Sequence, residues 1–194
     1  MKNYKSVMKH SFEIEQKFLI SKKDYKYLVD LLDWDRSVIQ KNYYYDTQEF
    51  DLKRQGETLR IREINGIREI QYKTKNTSTE KNTKIREEYS MICNNIPNQI
   101  LNKEFPICKC DVIQLGYLVT KRLIKIVNGI MICLDKNEYF NQIDYELEIE
   151  YEVDKYSDVI KIKEKLECIV NLVENSEGKY TRFIKKYYLL LGNH

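Results

Sequence analysis

The sequence predicts an α+β chain dominated by β structure: a closed antiparallel β-barrel of about eight strands with peripheral helices. Three observations lead there. Short stretches alternating apolar and polar residues recur along most of the chain, the period-2 signature of strands with one buried face. Asn65-Gly66 and Asn128-Gly129 each separate two such stretches, and Asn-Gly suits a two-residue hairpin turn because both central positions need positive φ. Charges of both signs occupy one parity of nearly every predicted strand while the other parity is largely apolar, so closing the sheet places one charged face inside a lumen.

At 194 residues the chain is long enough to bury a real core, and residues 1–194 are expected to form one domain. With 6 Gly, 2 Pro and 42% apolar residues the composition is that of a folded and not a disordered chain. A net charge of +3 gives no reason to expect bulk nucleic-acid or membrane binding, so any basic site must be local. The start of the chain, residues 1–18, has no apolar run of signal-peptide length, and no later segment reaches the length of a spanning helix. The expectation is a cytoplasmic protein. The five cysteines, Cys93, Cys108, Cys110, Cys133 and Cys168, are odd in number and lack zinc or redox spacing, which fits reduced thiols. Only His10 and His194 are present, which argues against a histidine triad or a zinc hydrolase. The chemistry then falls to carboxylates and bases.

Along the chain, residues 11–20 alternate as a strand, with Glu13, Glu15 and Lys17 on one face and Phe12, Ile14 and Phe18 on the other. Ser21 caps a short helix reaching Leu32, in which Tyr25, Leu28, Val29 and Leu32 share one face. Strands follow over 38–46, 57–64 and 67–75, the last two joined by Asn65-Gly66. Residues 76–83 are polar and predict a loop before another strand over 84–92. Residues 96–118 predict two short helices, with Pro97 and Pro106 near their starts. Strands at 119–127, 130–134 and 144–153 complete the set, and residues 158–174 give the longest helical pattern. The tail, 181–191, fits either a strand or a helix.

The parity argument also yields a candidate site. Alternating charge is normally the wet face of a half-buried sheet, and Lys73, Lys75 and Arg86 have an ordinary role as edge-strand charges. Here one parity carries Glu13, Glu15, Lys17, Arg60, Arg62, Lys73, Lys75, Lys84, Arg86, Glu88, Arg122, Asp135, Glu146, Glu148 and Glu150. A lumen lined by both bases and acids needs a charged guest to offset its desolvation. Polyphosphate with a divalent metal meets that need, since Arg and Lys pair with phosphate oxygens while Glu and Asp supply the hard oxygen ligands of Mg²⁺ or Mn²⁺. Carboxylates two apart on a strand, as in Glu13-x-Glu15 and Glu146-x-Glu148, point the same way within about 7 Å and can share metal. The tyrosines at 43–45 have packing as their simplest role.

These residues resemble the CYTH superfamily, the triphosphate tunnel metalloenzymes, over nearly the whole chain. The most specific element is the E-x-E-x-K signature, present as Glu13-Ile14-Glu15-Gln16-Lys17, followed in order by YYYDT at 43–47 and LRIR at 59–62. YKTK at 72–75, IREEY at 85–89, KR at 121–122, LD at 134–135, YELEIE at 145–150 and GKYTRF at 178–183 are similar to the later motifs. The resemblance implies metal ligands at Glu13, Glu15, Glu146 and Glu148, with Asp135, and phosphate-holding bases at Lys17, Arg60, Arg62, Lys73, Lys75, Arg86, Arg122, Lys179 and Arg182. Glu13, Glu15 and Lys17 would form the catalytic core. Either Glu87 or Glu88 faces the tunnel, and Thr120 stands where the family has a second base beside Arg122.

The reaction so implied is metal-dependent hydrolysis of a triphosphate-containing small molecule, first inorganic triphosphate, by a monomer or homodimer. Cyclisation of ATP, as in class IV adenylate cyclases, and hydrolysis of thiamine triphosphate use the same residues. From another class, a non-catalytic polyphosphate-binding module needs the bases but not the paired carboxylates.

Overall fold

Strand β1 (Lys9–Leu19) is the seam on which the sheet closes. Its first part pairs antiparallel with β5 (Thr83–Cys93) and its last part with β9 (Gln142–Glu150), in the registers Glu13↔Arg86 and Lys17↔Glu148. Between them the order runs from β5 through β4 (Ile67–Lys73), β3 (Thr58–Ile64), β2 (Arg36–Asp46), β7 (Val112–Val127) and β8 (Ile130–Tyr139) to β9. Eight antiparallel strands therefore form a closed barrel. Two short strands extend it: β6 (Gln99–Ile100) pairs with β7, and β10 (Val173–Glu174) with β1. The computed structural model describes residues 8–75, 77–78, 83–174 and 177–192, and most of the loop expected at 76–83 lies outside them. No helix among these residues is long and apolar enough to cross a membrane.

The hairpins form where the turn chemistry predicts. Asn65 and Gly66 have φ of 51° and 78°, and Asn128 and Gly129 have 52° and 81°, the doubly positive turn that matches strand twist. A third turn, between β8 and β9, uses Phe140 and Asn141 at φ 46° and 62°. Phe140 carries no turn signal in the sequence; β8 runs five residues past the expected end at Leu134 because its ladder with β9 continues to Tyr139↔Gln142.

Helices lie outside the barrel wall or at one end of it. In α1 (Lys22–Leu31), the Ser21 side chain accepts the Asp24 N–H, and the helix packs Tyr25 and Leu28 with Phe18, Leu134, Leu147 and Ile149. Helix α3 (Tyr156–Glu167) adds Val159 and Leu166 to the same core, after a single 3₁₀ turn at Val153–Lys155. The helical pattern predicted to 174 stops at Glu167, because the chain turns back and pairs Val173 and Glu174 with Leu19 and Phe18. The undecided tail is a helix, α4 (Lys179–Leu191), whose Tyr180, Phe183 and Ile184 pack on Tyr44, Leu118 and Tyr139.

No helix forms in 96–118. Residues 101–111 fold back in turns and place Ile100, Phe105 and Cys108 over Tyr45, Leu59, Ile61 and Ile70, so turns satisfy apolar spacing that had fitted helices. From Val112 the chain is strand, since β7 follows β2 along its length from Asp46↔Ile113 to Arg36↔Ile124. The register slips between Tyr44 and Tyr45, opposite Gly116 at φ 138°. A Cβ at Gly116 would stand 3.3 Å from the Phe183 ring, so only glycine gives both this conformation and this approach of α4.

The end of β2 ties three elements together. Asp46, fully buried, accepts hydrogen bonds from the backbone N–H groups of Thr47, Leu52 and Lys53 at 2.8, 2.9 and 3.0 Å, and from Tyr180 Oη at 2.5 Å. It thereby holds α2 (Asp51–Gln55) and α4 against the barrel. Asp46→Ala leaves these donors without an acceptor and is expected to lower unfolding free energy by about 3 kcal/mol, against about 1 kcal/mol for Tyr180→Phe, in urea titrations.

Candidate functional site

Because strand side chains alternate, one parity of all eight strands points into the barrel. β1 supplies Glu13, Glu15 and Lys17, β3 supplies Arg60 and Arg62, and β7 and β9 supply Arg122, Glu148 and Glu150. Together with Lys73, Arg86 and Glu88 they line a cavity of about 610 Å³. The α4 end contributes Gly178, Lys179, Tyr180 and Thr181, while Val38, Ile64, Ile124 and Met131 give an apolar lining elsewhere. Nine Lys or Arg and six Glu line the cavity, so it favours an anion more than the nearly balanced chain as a whole.

Acids and bases are unevenly placed. On the wall formed by β1, β8 and β9, every acid has a cation. Lys17 Nζ lies 2.8 Å from Glu15 and 2.7 Å from Glu148. Lys179 Nζ reaches Asp135, Glu146 and Glu148 at 2.8, 2.7 and 2.7 Å. Arg122 grips both oxygens of Asp135 at 2.8 and 2.7 Å and also contacts Glu148 and Glu150. Lys73 joins Glu13 to Glu88 at 2.5 and 3.0 Å. Burial alone would raise Glu13 and Glu146, but Lys73 and Lys17 beside the first, and Lys179 and Arg182 beside the second, bring both down to about 2. Glu15 moves the other way, pushed up by burial and by adjacent Glu13.

Two triads of carboxylates result, each with oxygens within 4.8 Å of one another: Glu13, Glu15 and Glu150, and Asp135, Glu146 and Glu148. All donors are hard oxygens, and the crowding that raises Glu15 is what a divalent cation relieves. The donor set therefore fits Mg²⁺ or Mn²⁺.

The cations of β3 and β5 are less directly paired, although β5 lies beside β1 and sets Arg86 cross-strand from Glu13 and Lys84 cross-strand from Glu15. Among the described residues Arg60, Arg62, Lys84 and Arg86, on β3 and β5, make no ion pair within 4 Å. Arg60 Nε donates to Gln71 at 2.8 Å and Arg62 Nε to Asn42 at 3.1 Å, both neutral acceptors. Arg86 Nε and Lys84 Nζ are buried without a hydrogen-bond partner among the described residues. Burial, with Arg60 and Arg122 nearby, lowers Arg62 to about 10, and burial, with Lys17, lowers Lys84 to about 8. Cations held this way, with no direct ion pair, attract an anion.

Most residues singled out in the sequence come together here, but not all. Glu13, Glu15, Lys17, Arg60, Arg62, Lys73, Arg86, Arg122, Glu148 and Lys179 line the cavity. Asp135 and Glu146 are fully buried behind Lys179. Arg182 turns away from the cavity and pairs with Asp144 at 2.9 Å and Glu146 at 3.0 Å. Lys75 is exposed beyond the end of β4, against Gly56. Glu88 faces the cavity, whereas Glu87 accepts from Tyr89 Oη on the outside. Thr120, in the place of a second base, donates to Asn137 at 2.7 Å. Glu150 as part of a metal triad and Lys84 as an unpaired cation were not among the predicted site residues, although both share the inward parity. The cap at Asp46 had no signal beyond its place in YYYDT.

A family model for the CYTH domain matches residues 11–184. YjbK of Bacillus subtilis (strain 168), a triphosphatase candidate, is 28% identical over 150 residues, 74% of this chain and 79% of that protein. Among solved structures, HpAC1 from Hippeastrum, an adenylyl cyclase candidate described as having a dominant triphosphatase activity, has a TM-score of 0.71 at 20% identity, over 90% of this chain and 96% of that one. An adenylate cyclase candidate of Bacillus halodurans has a TM-score of 0.70 at 24% identity, over 90% and 98%. At these identities the two structures attest the fold alone.

Lys179 is shared by three buried carboxylates, with Arg122, Lys17 and Arg182 as their other cations, so Lys179→Met is expected to cost about 3 kcal/mol near pH 7. Glu146 titrates at about 2 in the fold against an ordinary 4.5, so its stabilisation is present above the ordinary value and lost as pH falls towards 2. Without Lys179 that depression shrinks. The stability gap between wild type and variant should therefore narrow as pH falls from about 5 to about 3, read from urea midpoints across that range.

Proposed function

The chain belongs to the CYTH family, and from that premise we propose that its tunnel binds a triphosphate with divalent metal ions and hydrolyses it, inorganic triphosphate first. The observation that supports this most is that one lumen holds two carboxylate triads together with Arg60, Arg62 and Arg86, which make no ion pair within 4 Å among the described residues. A guest with anionic oxygens and divalent cations satisfies both sets of side chains at once, which neither component does alone.

In this reading Glu13, Glu15 and Glu150, and Asp135, Glu146 and Glu148, hold Mg²⁺ or Mn²⁺. When bound, the metal would supply Lewis-acid polarisation of the phosphoryl oxygens and charge stabilisation in the transition state. Arg60, Arg62 and Arg86 align the polyphosphate along the lumen. Lys17, Lys73, Lys179 and Arg122 each lie within reach of carboxylates now, and each exchanges part of that pairing for phosphate oxygens as cations reach the acids. Lys17 sits between Glu15 and Glu148, where it can follow charge that develops on the transferred group. Lys75 and Arg182, outside the cavity, have supporting roles at most.

A second reading concerns what the triphosphate carries. Val38, Ile64, Ile124 and Met131 present apolar surface to the same cavity as Arg36 and Asn65, which favours space for an organic substituent such as the nucleoside of ATP or the rings of thiamine triphosphate. Phosphate release from inorganic triphosphate, ATP and thiamine triphosphate ranks the substrates, each with Mg²⁺, with Mn²⁺ and with chelator. Release that needs metal and falls at least roughly 100-fold in Glu13→Gln supports the proposal. No release from any of the three by the wild type would leave a polyphosphate-binding module in its place.

A further inference from the structure

Helix α4 begins at the cavity with an uncapped end. Its N-cap, Gly178, at φ −74° and ψ 164°, has the conformation of a capping residue but no side chain to make the capping hydrogen bond. An ordinary helix of this length starts with Ser, Thr, Asp or Asn, whose oxygen accepts the N–H groups that the helix leaves free. Lys84 Nζ stands 3.9 Å from where a Cβ on Gly178 would lie. Lys84 is 4% exposed, and its Nζ has no hydrogen-bond partner among the described residues. The place of a capping side chain is thus bounded by a buried ammonium on one side and by the positive end of a helix on the other.

We infer that Lys84 and the first turn of α4 form an anion subsite, which takes the end phosphoryl group of the triphosphate where a capping side chain would otherwise sit. This rests on the triphosphate reading of the tunnel. Arg86, two residues along β5 and on the same inward parity, lines the cavity with its own unpartnered Nε among the described residues, so a cavity cation lies on the same strand face as Lys84. Gly178 and Lys179 line the cavity as well, which makes the subsite continuous with it. Cross-strand from Lys84 lies Glu15, whose carboxylate is engaged by Lys17 at 2.8 Å, so Lys84 stays available to a guest.

Two substitutions act on the subsite from opposite sides. Lys84→Met removes the ammonium and keeps most of the volume. Gly178→Asp builds the missing cap in place, supplying a carboxylate to both Lys84 and the helix; as a cap it is expected to keep or raise the thermal midpoint. Both should raise the Kd for inorganic triphosphate by about 10-fold or more, measured by calorimetry in chelator, and the KM with Mg²⁺ to a similar extent, with kcat less affected. Lys84→Arg should recover part of the loss. A binding defect in Gly178→Asp without loss of stability separates the subsite from a merely structural lysine. The inference is overturned if both variants keep Kd and KM within twofold of wild type. A wild type that binds inorganic triphosphate without releasing phosphate defeats the hydrolase reading and leaves the subsite to the Kd comparison; one that does neither overturns both.

Discussion

Pairing of β1 with β9 is the constraint on which the rest of the structure depends. In an open sheet the row Glu13, Glu15, Lys17 would face water at little cost. Once Lys17↔Glu148 and Glu15↔Glu150 are in register, that row and its counterparts on seven other strands are enclosed. Removing an ion from water without a partner costs several kcal/mol. The acidic wall therefore survives only with a cation for each acid, and the pattern of inward Lys and Arg follows from that requirement. Buried pairs of this kind seldom stabilise more than an apolar core of the same volume would. Their presence through the whole lumen is better explained by what the lumen must receive than by what holds it shut.

The same constraint moves the hydrophobic core to the outer face of the barrel wall. With the inside polar, apolar side chains such as Phe18, Leu147, Leu59 and Ile70 point outward and need cover. Helices α1 and α3 cover one side, and the turns of 101–111 cover another. Helix α4 differs, since it packs on inward residues Tyr44, Leu118 and Tyr139 and closes one end. Asp46 and Gly116 fix it there, one by hydrogen bonding to Tyr180, the other by leaving room for Phe183. The position of Lys179 among three carboxylates is a consequence of that docking.

Local rules made the barrel legible. Period-2 alternation located the strands of β1 to β5, and Asn-Gly located two hairpins, because each depends only on residues within a few positions. What local rules missed depended on distant partners. Apolar spacing in 96–118 fits a helix as well as a folded cap, and only the ladder with β2 decides that Val112 onward is strand. The end of α3 at Glu167 is set by β1, some 150 residues away in sequence, where Leu19 pairs with Val173. At the candidate site, parity identified Glu13, Glu15, Lys17, Arg60, Arg62 and Glu148 correctly as inward. It could not tell depth, so it ranked fully buried Asp135 and Glu146 beside cavity-lining residues. It also extended the row to Lys75, which lies past the last paired residue of β4, where alternation no longer fixes direction.

Charge segregation within a single lumen also bears on how a guest can enter. Lys17, Lys73, Arg122 and Lys179 are each within hydrogen-bonding distance of carboxylates, so metal cannot reach those oxygens unless the cations are drawn elsewhere. Polyphosphate cannot be drawn deep along Arg60, Arg62 and Arg86 without adding negative charge beside the acids. In the proposed reading each component would lower the cost of the other, phosphate by pairing with the lysines and metal by neutralising the carboxylates. Under the proposed function binding would be coupled, and by linkage reciprocal, metal raising affinity for triphosphate by the same factor as triphosphate raises affinity for metal. A lumen built from ion pairs that are individually near neutral in energy is suited to that exchange. Opening a pair alone leaves a buried charge uncompensated, and in the proposed reading the wall is satisfied again only when both guests are present.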